Sequence, residues 1–357
     1  VVYPVIMIMI PTARGACGIA LLFAILCAAG AIAEHPDLEA RQRVTIAGSV
    51  TPGDMPTRLA DHLDLFAGAG TEVAVASFPS GAAALDELLQ RRADFALTAV
   101  PPFASALLQQ ERTEVADDEE LVVLARISRS NNTHHVVLSP AAAGLQPAQL
   151  AGRRIGVMPG TSSEYFWAGF APLHGIARAD VELSLLNVEE MTAALQAREI
   201  DAAVVWDPWP LRMGEALGGE VTRLSDHRID SMSWLLVTRR VLVERHPQLC
   251  EDILRMYLRA ENLIHEDPER ARAQEAAASG VTVDYVRSLA PDFIFSLGLD
   301  WSLLSEINHH LAWRRGRAGE SGGTVFTPER YLAPRPLARV APARVLLPRY
   351  WQQGAGP

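Results

Sequence analysis

Apolar runs alternate along the chain with amphipathic stretches that have the period of a helix. In the first third, this alternation predicts three strand-and-helix cycles, with strands at 44–48, 72–78 and 94–98 and helices at 54–66, at 81–92 and from Pro101-Pro102 onward. Helices of about 10 to 15 residues between apolar strands are typical of βαβ units, whose strands form a mostly parallel sheet.

The alternation restarts after a break. Extended segments at 121–127 and 136–138 enclose the polar stretch SRSNNTHH. Three further cycles follow, with strands at 154–158, 181–186 and 202–206 and helices at 162–173, 189–198 and 208–217. A second polar break, HRIDSMS, precedes an apolar run at 234–237, and from there to about residue 315 the pattern predicts helices throughout. Residues 318–323 are predicted as a loop, and the prolines after Thr324 predict an irregular tail that wraps the body.

These two blocks predict an α/β protein of two lobes, each a mostly parallel sheet flanked by helices. A chain of 357 residues fits two lobes better than one small core. Because the chain crosses between the blocks near 129–135 and 226–233, we expect one lobe to be inserted into the other, with a cleft between them and the crossings as a hinge. The expected parts are a first lobe at 34–128 and 229–316, an inserted lobe at 129–228 and the tail at 317–357.

Residues 1–33 have the pattern of a cleaved secretory signal peptide. Arg14 precedes an uncharged stretch, 16–33, that ends in Ala31-Ile32-Ala33 ahead of polar residues. A membrane anchor is the alternative, since a stretch of this length can barely span a bilayer. Its glycine and alanine content favours cleavage after Ala33, and therefore a periplasmic or otherwise extracytoplasmic protein.

Charge and composition exclude several classes of function. The formal net charge is −10, and removal of 1–33 with its single arginine leaves −11, which disfavours binding to nucleic-acid phosphates. All 32 Lys and Arg positions are arginine. Schiff-base chemistry, pyridoxal-phosphate attachment and a Walker-A loop, which need lysine, are therefore excluded. Cys250 alone remains after cleavage, so we expect no internal disulfide.

Hydroxyl residues follow several predicted strands at the point where a helix begins. Thr161, Ser162 and Ser163 follow the strand at 154–158, and Ser80-Gly81 follows the strand at 72–78. In open parallel sheets, ligands lie beyond the carboxyl ends of the strands, where free N–H groups of helix N-termini favour an anion. We therefore predict ligand contacts from these residues and from others in equivalent positions, namely Ser49, Thr51 and Thr98.

Each of these positions has a local alternative. Thr161 and Glu164 have the spacing of a capping box, and Ser80 suits a helix N-cap. The other positions can be solvated loop. Because a cap would use Thr161 alone, Ser162 and Ser163 would remain available to a ligand.

A second candidate group is Trp206-Asp207-Pro208-Trp209. Trp206 ends a strand and can stack on the carbon skeleton of a ligand, and Asp207 can accept a hydrogen bond from an ammonium group. For Asp207 the sequence favours a different role, a helix N-cap with proline at the first helical position. Trp234 is a weaker candidate, for which core packing is favoured.

The sequence contains little that indicates a metal site or a catalytic site. His134-His135 and His309-His310 are adjacent pairs whose side chains point apart on a strand or helix, and HExxH and GxSxG motifs are absent. We therefore predict no metal, no cofactor and no catalytic residue.

The stretches LAGRRIGVMPGTSSEYF and EEMTAALQAREIDAAVVWDPW resemble the second lobe of periplasmic substrate-binding proteins of the sulfonate, nitrate and taurine ABC importers, the SsuA-like or NMT1/THI5-like group. The stretch HLDLFAGAGTEVAVASFPSGAAALDELLQRRADFAL resembles their first lobe. The resemblance covers roughly residues 44–347 and implies a type II periplasmic-binding fold. It also implies that the protein clamps a small ligand between its lobes and delivers it to a membrane permease. Many relatives carry a Lys-Gly pair where this chain has Gly152-Arg153-Arg154.

The function that follows is capture of a small organic anion or zwitterion by hinge closure, in a monomer that binds no nucleic acid. A sulfonate such as taurine is the first choice, and nitrate, a pyrimidine or another small acid remain open. The alternatives are an enzyme on the same fold that acts on a vitamin or quinone precursor, and a membrane-tethered sensor domain.

Overall fold

The computed structural model describes residues 43–69, 71–319 and 327–348. The signal peptide predicted at 1–33 lies outside this part of the chain. The strands are β1 (Arg43–Ser49), β2 (Glu72–Phe78), β3 (Phe95–Ala99), β4 (Leu121–Ser130), β5 (His134–Leu138), β6 (Arg154–Val157), β7 (Glu182–Leu185), β8 (Ala202–Trp206), β9 (Arg223–Leu224), β10 (Met232–Arg239), β11 (Phe293–Asp300) and β12 (Val345–Leu346). The helices are α1 (Met55–His62), α2 (Gly81–Leu89), α3 (Val100–Thr113), α4 (Ser162–Leu173), α5 (Val188–Gln196), α6 (Trp209–Leu217), α7 (Arg240–Arg245), α8 (Pro247–Glu266), α9 (Pro268–Ser279), α10 (Val283–Leu289), α11 (Trp301–Arg317), α12 (Pro328–Tyr331) and α13 (Pro334–Val340).

The fold is α/β, as predicted, with helices packed on two sheets. The seven-stranded sheet has the order β12-β11-β4-β10-β3-β1-β2. Its β1, β2 and β3 are parallel, whereas β10 is antiparallel to both β3 and β4, and β4 is antiparallel to β11. The sheet is therefore mixed rather than mostly parallel, because β4, β10 and β11 are not part of the βαβ repeat.

The five-stranded sheet has the order β7-β6-β8-β5-β9. Here β6 pairs in parallel with β7 and β8, and β5 pairs antiparallel with β8 and β9. Helices α4, α5 and α6 pack against β8. We call this sheet with these helices the small unit, and the seven-stranded sheet with its helices the large unit; the lobe boundaries given above remain a prediction.

Burial of large apolar side chains stabilises both units. The large unit has one continuous core, in which Phe95, Phe103 and Tyr257 are fully buried. The small unit has one cluster on each face of its sheet, with Phe166 and Phe170 on one face and Met191 on the other. Each fully buried side chain of this size contributes about 1.5–3 kcal/mol relative to an exposed one.

Two predictions about the C-terminal third are wrong. The region expected to be helical throughout contains β11, in which Phe293, Phe295, Leu297 and Leu299 alternate with more exposed neighbours, as in a strand with one buried face. The tail is not irregular in its described part. It contains the helices α12 and α13 and the strand β12, which pairs with β11. The two helices begin at Pro328 and Pro334, and proline is compatible with the first turn of a helix.

None of the helices in the described ranges has both the length and the apolar character that a bilayer-spanning helix needs.

Candidate functional site

A small cavity lies between the two units, where carboxyl ends of their strands face each other. The space within it that the centre of a water molecule can occupy is about 20 Å³. The large unit lines it with Thr51, Ser80, Gly81, Ala82, Ala99, Pro102 and Trp234, and the small unit lines it with His134, Thr161, Ser162 and Trp206. Six predicted contact residues, Thr51, Ser80, Gly81, Thr161, Ser162 and Trp206, are therefore brought together here.

The loop after β1 presents Thr51 to the cavity. Trp234 Nε1 donates to Thr51 Oγ1 at 3.0 Å, and the hydroxyls of Ser49 and Thr51 are 2.8 Å apart. Ser49 is fully buried and does not line the cavity; its backbone N–H donates to the Asp54 carboxylate at 2.6 Å. Burial raises the pKa of Asp54 to about 7, although nearby Arg58 opposes this shift. Ser49 thus helps to hold the loop that carries Thr51 and does not itself line the cavity.

A buried ion pair fixes the same loop from behind. Arg58 Nη2 lies 2.5 Å from Glu275 Oε1, and both side chains are at most 7% exposed. Arg58 Nη1 also donates to the backbone carbonyl of Ser49 at 2.5 Å. The pair therefore connects α1 and α9 to the loop that carries Thr51.

The start of α2 forms the next part of the wall. Ser80 is the N-cap residue, and its hydroxyl oxygen accepts from the backbone N–H of Ala83 at 3.1 Å. A Cβ atom at position 81 would lie 2.9 Å from Thr98 Cα, so Gly81 allows this close approach of α2 to β3. Thr98 itself is fully buried behind Gly81 and does not line the cavity.

The start of α4 faces the cavity from the small unit. Thr161 caps the helix, accepting from the N–H of Ser163 at 3.3 Å and donating to the carbonyl of Met158 at 2.8 Å. Ser163 is fully buried, donates to the carbonyl of Val204 at 2.6 Å and accepts from the N–H of Met158. Ser162 also lines the cavity, and its hydroxyl makes no hydrogen bond to any other part of the chain that the structure describes.

Asp207 does not act as a helix cap, so that interpretation is wrong. Helix α6 begins at Trp209, with Pro208 in the cap position. The fully buried Asp207 carboxylate instead lies 3.0 Å from His135 Nε2 and accepts from the Tyr285 hydroxyl at 2.9 Å. Burial, with Asp207 adding to it, raises the pKa of Tyr285 above its ordinary value. Asp207 thus connects β5 of the small unit to α10 of the large unit and does not line the cavity.

Trp206 lines the cavity with an unused donor. Trp206 is 4% exposed, and its indole Nε1 is buried without a hydrogen-bond partner among the described residues. Because an unpaired buried N–H costs about 1–3 kcal/mol, such groups are uncommon in folded proteins away from ligand sites.

His134 was missed by sequence reasoning, which weighed the two histidines of SRSNNTHH only as metal ligands. It is 1% exposed, and its Nδ1 lies 2.6 Å from Asp230 Oδ1. Within the ranges that the structure describes, its buried Nε2 has no hydrogen-bond partner. In the β5–β8 pairing His134 is directly opposite Trp206. The two unpartnered nitrogens therefore belong to neighbouring side chains of one cavity.

Contacts between the units close the cavity. Trp209 Nε1 donates to the carbonyl of Pro79 at 3.3 Å, and the Ser105 hydroxyl donates to the carbonyl of Gly160 at 3.0 Å. On the α4 side, the Glu164 carboxylate lies 3.3 Å from Arg314 and 3.1 Å from Arg317.

The lining of the cavity is rich in residues that can donate hydrogen bonds. It includes the hydroxyl residues Thr51, Ser80, Thr161 and Ser162 together with His134, Trp206 and Trp234. Helices α2 and α4 begin at this lining, and helix N-termini carry about half a unit of positive charge. The described lining includes no carboxylate.

Replacing Gly53 by alanine is expected to lower the free energy of unfolding by about 1–3 kcal/mol, because a Cβ atom there would overlap the indole ring of Trp234. Chemical denaturation measures this change. Gly316→Ala is the matched control: no atom within 4 Å would meet its Cβ, and removing a helical glycine is expected to stabilise by about 0.5–1 kcal/mol. Equal stabilities of the two variants would contradict the close packing of Gly53 on Trp234.

Comparison with known proteins agrees with this architecture. A sequence profile of the NMT1-like family matches residues 41–279, and no curated protein matches. The alkanesulfonate-binding protein SsuA from Xanthomonas axonopodis pv. citri, bound to MOPS, has a TM-score of 0.65 and 19% identity over 82% of this chain and 99% of its own. The periplasmic nitrate-binding protein NrtA from Synechocystis PCC 6803 has a TM-score of 0.66 and 15% identity over 85% and 89%. The desulfurization enzyme DszB has a TM-score of 0.57 and 16% identity over 84% and 99%. These likenesses establish the fold.

Proposed function

The chain belongs to the NMT1-like family, and from that premise we propose that it is the solute-binding component of an ABC-type importer that captures a small oxyanion between its two units. The observation that carries this proposal is that Trp206 and His134 line one cavity, while Trp206 Nε1 and His134 Nε2 are buried without a hydrogen-bond partner in the described part of the chain. The binding proteins SsuA and NrtA, which share the fold, are named for sulfonates and nitrate.

Six residues are proposed as direct contacts: Thr51, Ser80, Gly81, Thr161, Ser162 and Trp206. Ser49, Thr98, Ser163 and Asp207 are proposed as supports, since they are buried behind the wall. A hydrogen bond to a charged partner contributes about 1.5–3 kcal/mol, so four such bonds contribute about 6–12 kcal/mol, which is of the order of the ~8 kcal/mol of a micromolar ligand.

The size of the cavity restricts the ligand. About 20 Å³ holds little more than one water molecule, so the ligand enters an opened form and the units close over it. Nitrate or the head of a short sulfonate such as taurine suits this space best. We further propose that residues 1–33 direct export of the protein and that the two crossings between the lobes form the hinge. The protein would act as a monomer and deliver its ligand to a membrane permease.

We propose binding rather than catalysis because no residue in the described ranges places a thiolate in the cavity. The one cysteine in the described ranges, Cys250, is fully buried in α8, and burial raises the pKa of its thiol to about 12. Release of sulfite from a sulfonate on incubation with the protein would argue for an enzyme instead.

Calorimetric titration with nitrate, methanesulfonate, taurine and uncharged methanesulfonamide tests the proposal, in buffers that are not themselves sulfonates. At least one anion is expected to bind with micromolar affinity, and methanesulfonamide is expected to bind more than about tenfold more weakly than methanesulfonate, because it lacks the charge that the donors stabilise. Absence of binding by every anion, or equal affinity for the charged and uncharged analogues, would overturn the proposal.

A further inference from the structure

We propose that His134 takes up a proton when the anion binds, so that the cavity captures one anion together with one proton. The inference rests on the proposed function of the cavity and names how the anion is recognised. The argument starts from the two ring nitrogens of His134, which have different surroundings.

The Nδ1 side of the ring is fixed by a carboxylate. Asp230 Oδ1 lies 2.6 Å from His134 Nδ1, while Asp230 Oδ2 accepts from the backbone N–H groups of Thr133 at 2.5 Å and of His134 at 2.7 Å. Burial alone would raise the pKa of Asp230, but His134 and the two amides outweigh it and hold that pKa below its ordinary value. Asp230 is therefore ionised and accepts, so Nδ1 carries a proton and donates.

His134 lines the cavity, and its Nε2 has no hydrogen-bond partner among the described residues. When Nδ1 holds the only ring proton, Nε2 presents a lone pair, which repels the oxygen of an anion. A proton added at Nε2 turns this atom into a charged donor. The charges then alternate from the Asp230 carboxylate through the imidazolium to the bound anion, and the proton is drawn from solvent.

The other groups around His134 do not compete for this proton. The ring of Phe166 stacks on His134 with centroids 5.5 Å apart, and Trp206 pairs with it across β5 and β8. From α11 comes His310, whose pKa is lowered to about 3 by burial first and then by His309, Arg314 and His134. His310 is therefore neutral, and the positive charge of Arg314 on the same helix faces Glu164.

If anion binding and proton uptake are coupled in this way, the affinity for the anion must change with pH. Nitrate and methanesulfonate remain ionised throughout the range in which imidazoles titrate, so any proton taken up must go to the protein. If one proton binds with each anion, the dissociation constant is expected to rise with pH, by at most about tenfold per pH unit.

The test is titration of the full chain with methanesulfonate and with nitrate between about pH 5.5 and 8.5, in two amine buffers whose ionisation enthalpies differ. We expect weaker binding at high pH and, near the upper end, a binding enthalpy whose dependence on the buffer corresponds to uptake of about one proton per anion. This measurement needs no variant. Binding that is independent of both pH and buffer would overturn the proton uptake and leave the binding function intact, whereas absence of binding would overturn both.

A pair of histidine variants locates the proton. His134→Gln keeps a donor in the ring's place but cannot be protonated, so its affinity is expected to be independent of pH. His227→Gln, at an exposed position outside the cavity, is the matched control and is expected to keep the pH dependence of the unmodified chain. A pH dependence that persists in His134→Gln, or one that disappears in His227→Gln, would contradict the assignment.

Discussion

Replacing Arg58 by methionine is expected to lower the free energy of unfolding by about 3–5 kcal/mol, because it leaves the Glu275 carboxylate buried without its partner. The two side chains are 7% and 6% exposed, and three hydrogen bonds of at most 3.1 Å join them. Denaturation in urea at neutral pH measures the loss. The Ser49 carbonyl also loses its donor, so a fall in ligand affinity is expected as well.

An exposed ion pair provides the control for this prediction. Arg92 and Glu87 are joined by similar bonds, but the Arg92 side chain is 52% exposed. Since exposed pairs contribute at most about 1 kcal/mol, Arg92→Met is expected to change stability little. A comparable loss in both variants would show that burial does not determine the contribution of the Arg58 pair.

Replacing Trp206 by phenylalanine is expected to weaken anion binding by about 10- to 150-fold, which corresponds to the 1.5–3 kcal/mol of one hydrogen bond to a charged acceptor. Phenylalanine keeps an aromatic ring at this position but removes the five-membered ring together with the unpartnered N–H, so part of the buried packing is lost as well. The ligand-free protein is therefore expected to lose about 1–3 kcal/mol of stability to the smaller side chain. Calorimetric titration and thermal unfolding measure the two effects separately.

Trp234→Phe is the matched control, because this tryptophan also lines the cavity but its Nε1 already donates to Thr51 at 3.0 Å. Trp234→Phe removes the same atoms, so its destabilisation of the ligand-free protein is expected to be larger than that of Trp206→Phe by the about 0.5–1.5 kcal/mol of the lost hydrogen bond, and its effect on affinity much smaller. If Trp206→Phe leaves affinity unchanged, the indole N–H of Trp206 does not bind the ligand.

Local patterns in the sequence were sufficient for the elements that frame the site. The helix predicted at 162–173 is α4, Ser162–Leu173, and the strand predicted at 202–206 is β8, Ala202–Trp206. The determining signals are a Thr cap directly before α4 and a continuous apolar run within β8, and both are local in the sequence. Strand β11 was missed because a short apolar run of this length fits a buried helix as well as a strand.

The roles of single side chains were less accessible, because they depend on distant partners. Asp207 has the local sequence of a helix cap, yet His135 and Tyr285, which lie 72 and 78 positions away, hold its carboxylate. His134 likewise depends on Asp230, 96 positions along the chain. Sequence periodicity has no information on such contacts, whereas the polarity of SRSNNTHH and HRIDSMS did mark the two segments that contribute them.

The most direct test of the account follows the Trp206 indole by nuclear magnetic resonance. In ¹⁵N-labelled protein, its N–H resonance is the one that is missing from the spectrum of Trp206→Phe. The account predicts that saturating methanesulfonate or nitrate shifts this resonance downfield, as expected for a new hydrogen bond to an anion, and shifts the Trp234 resonance much less. An anion that binds while the Trp206 resonance stays in place would contradict the claim that this cavity is the binding site.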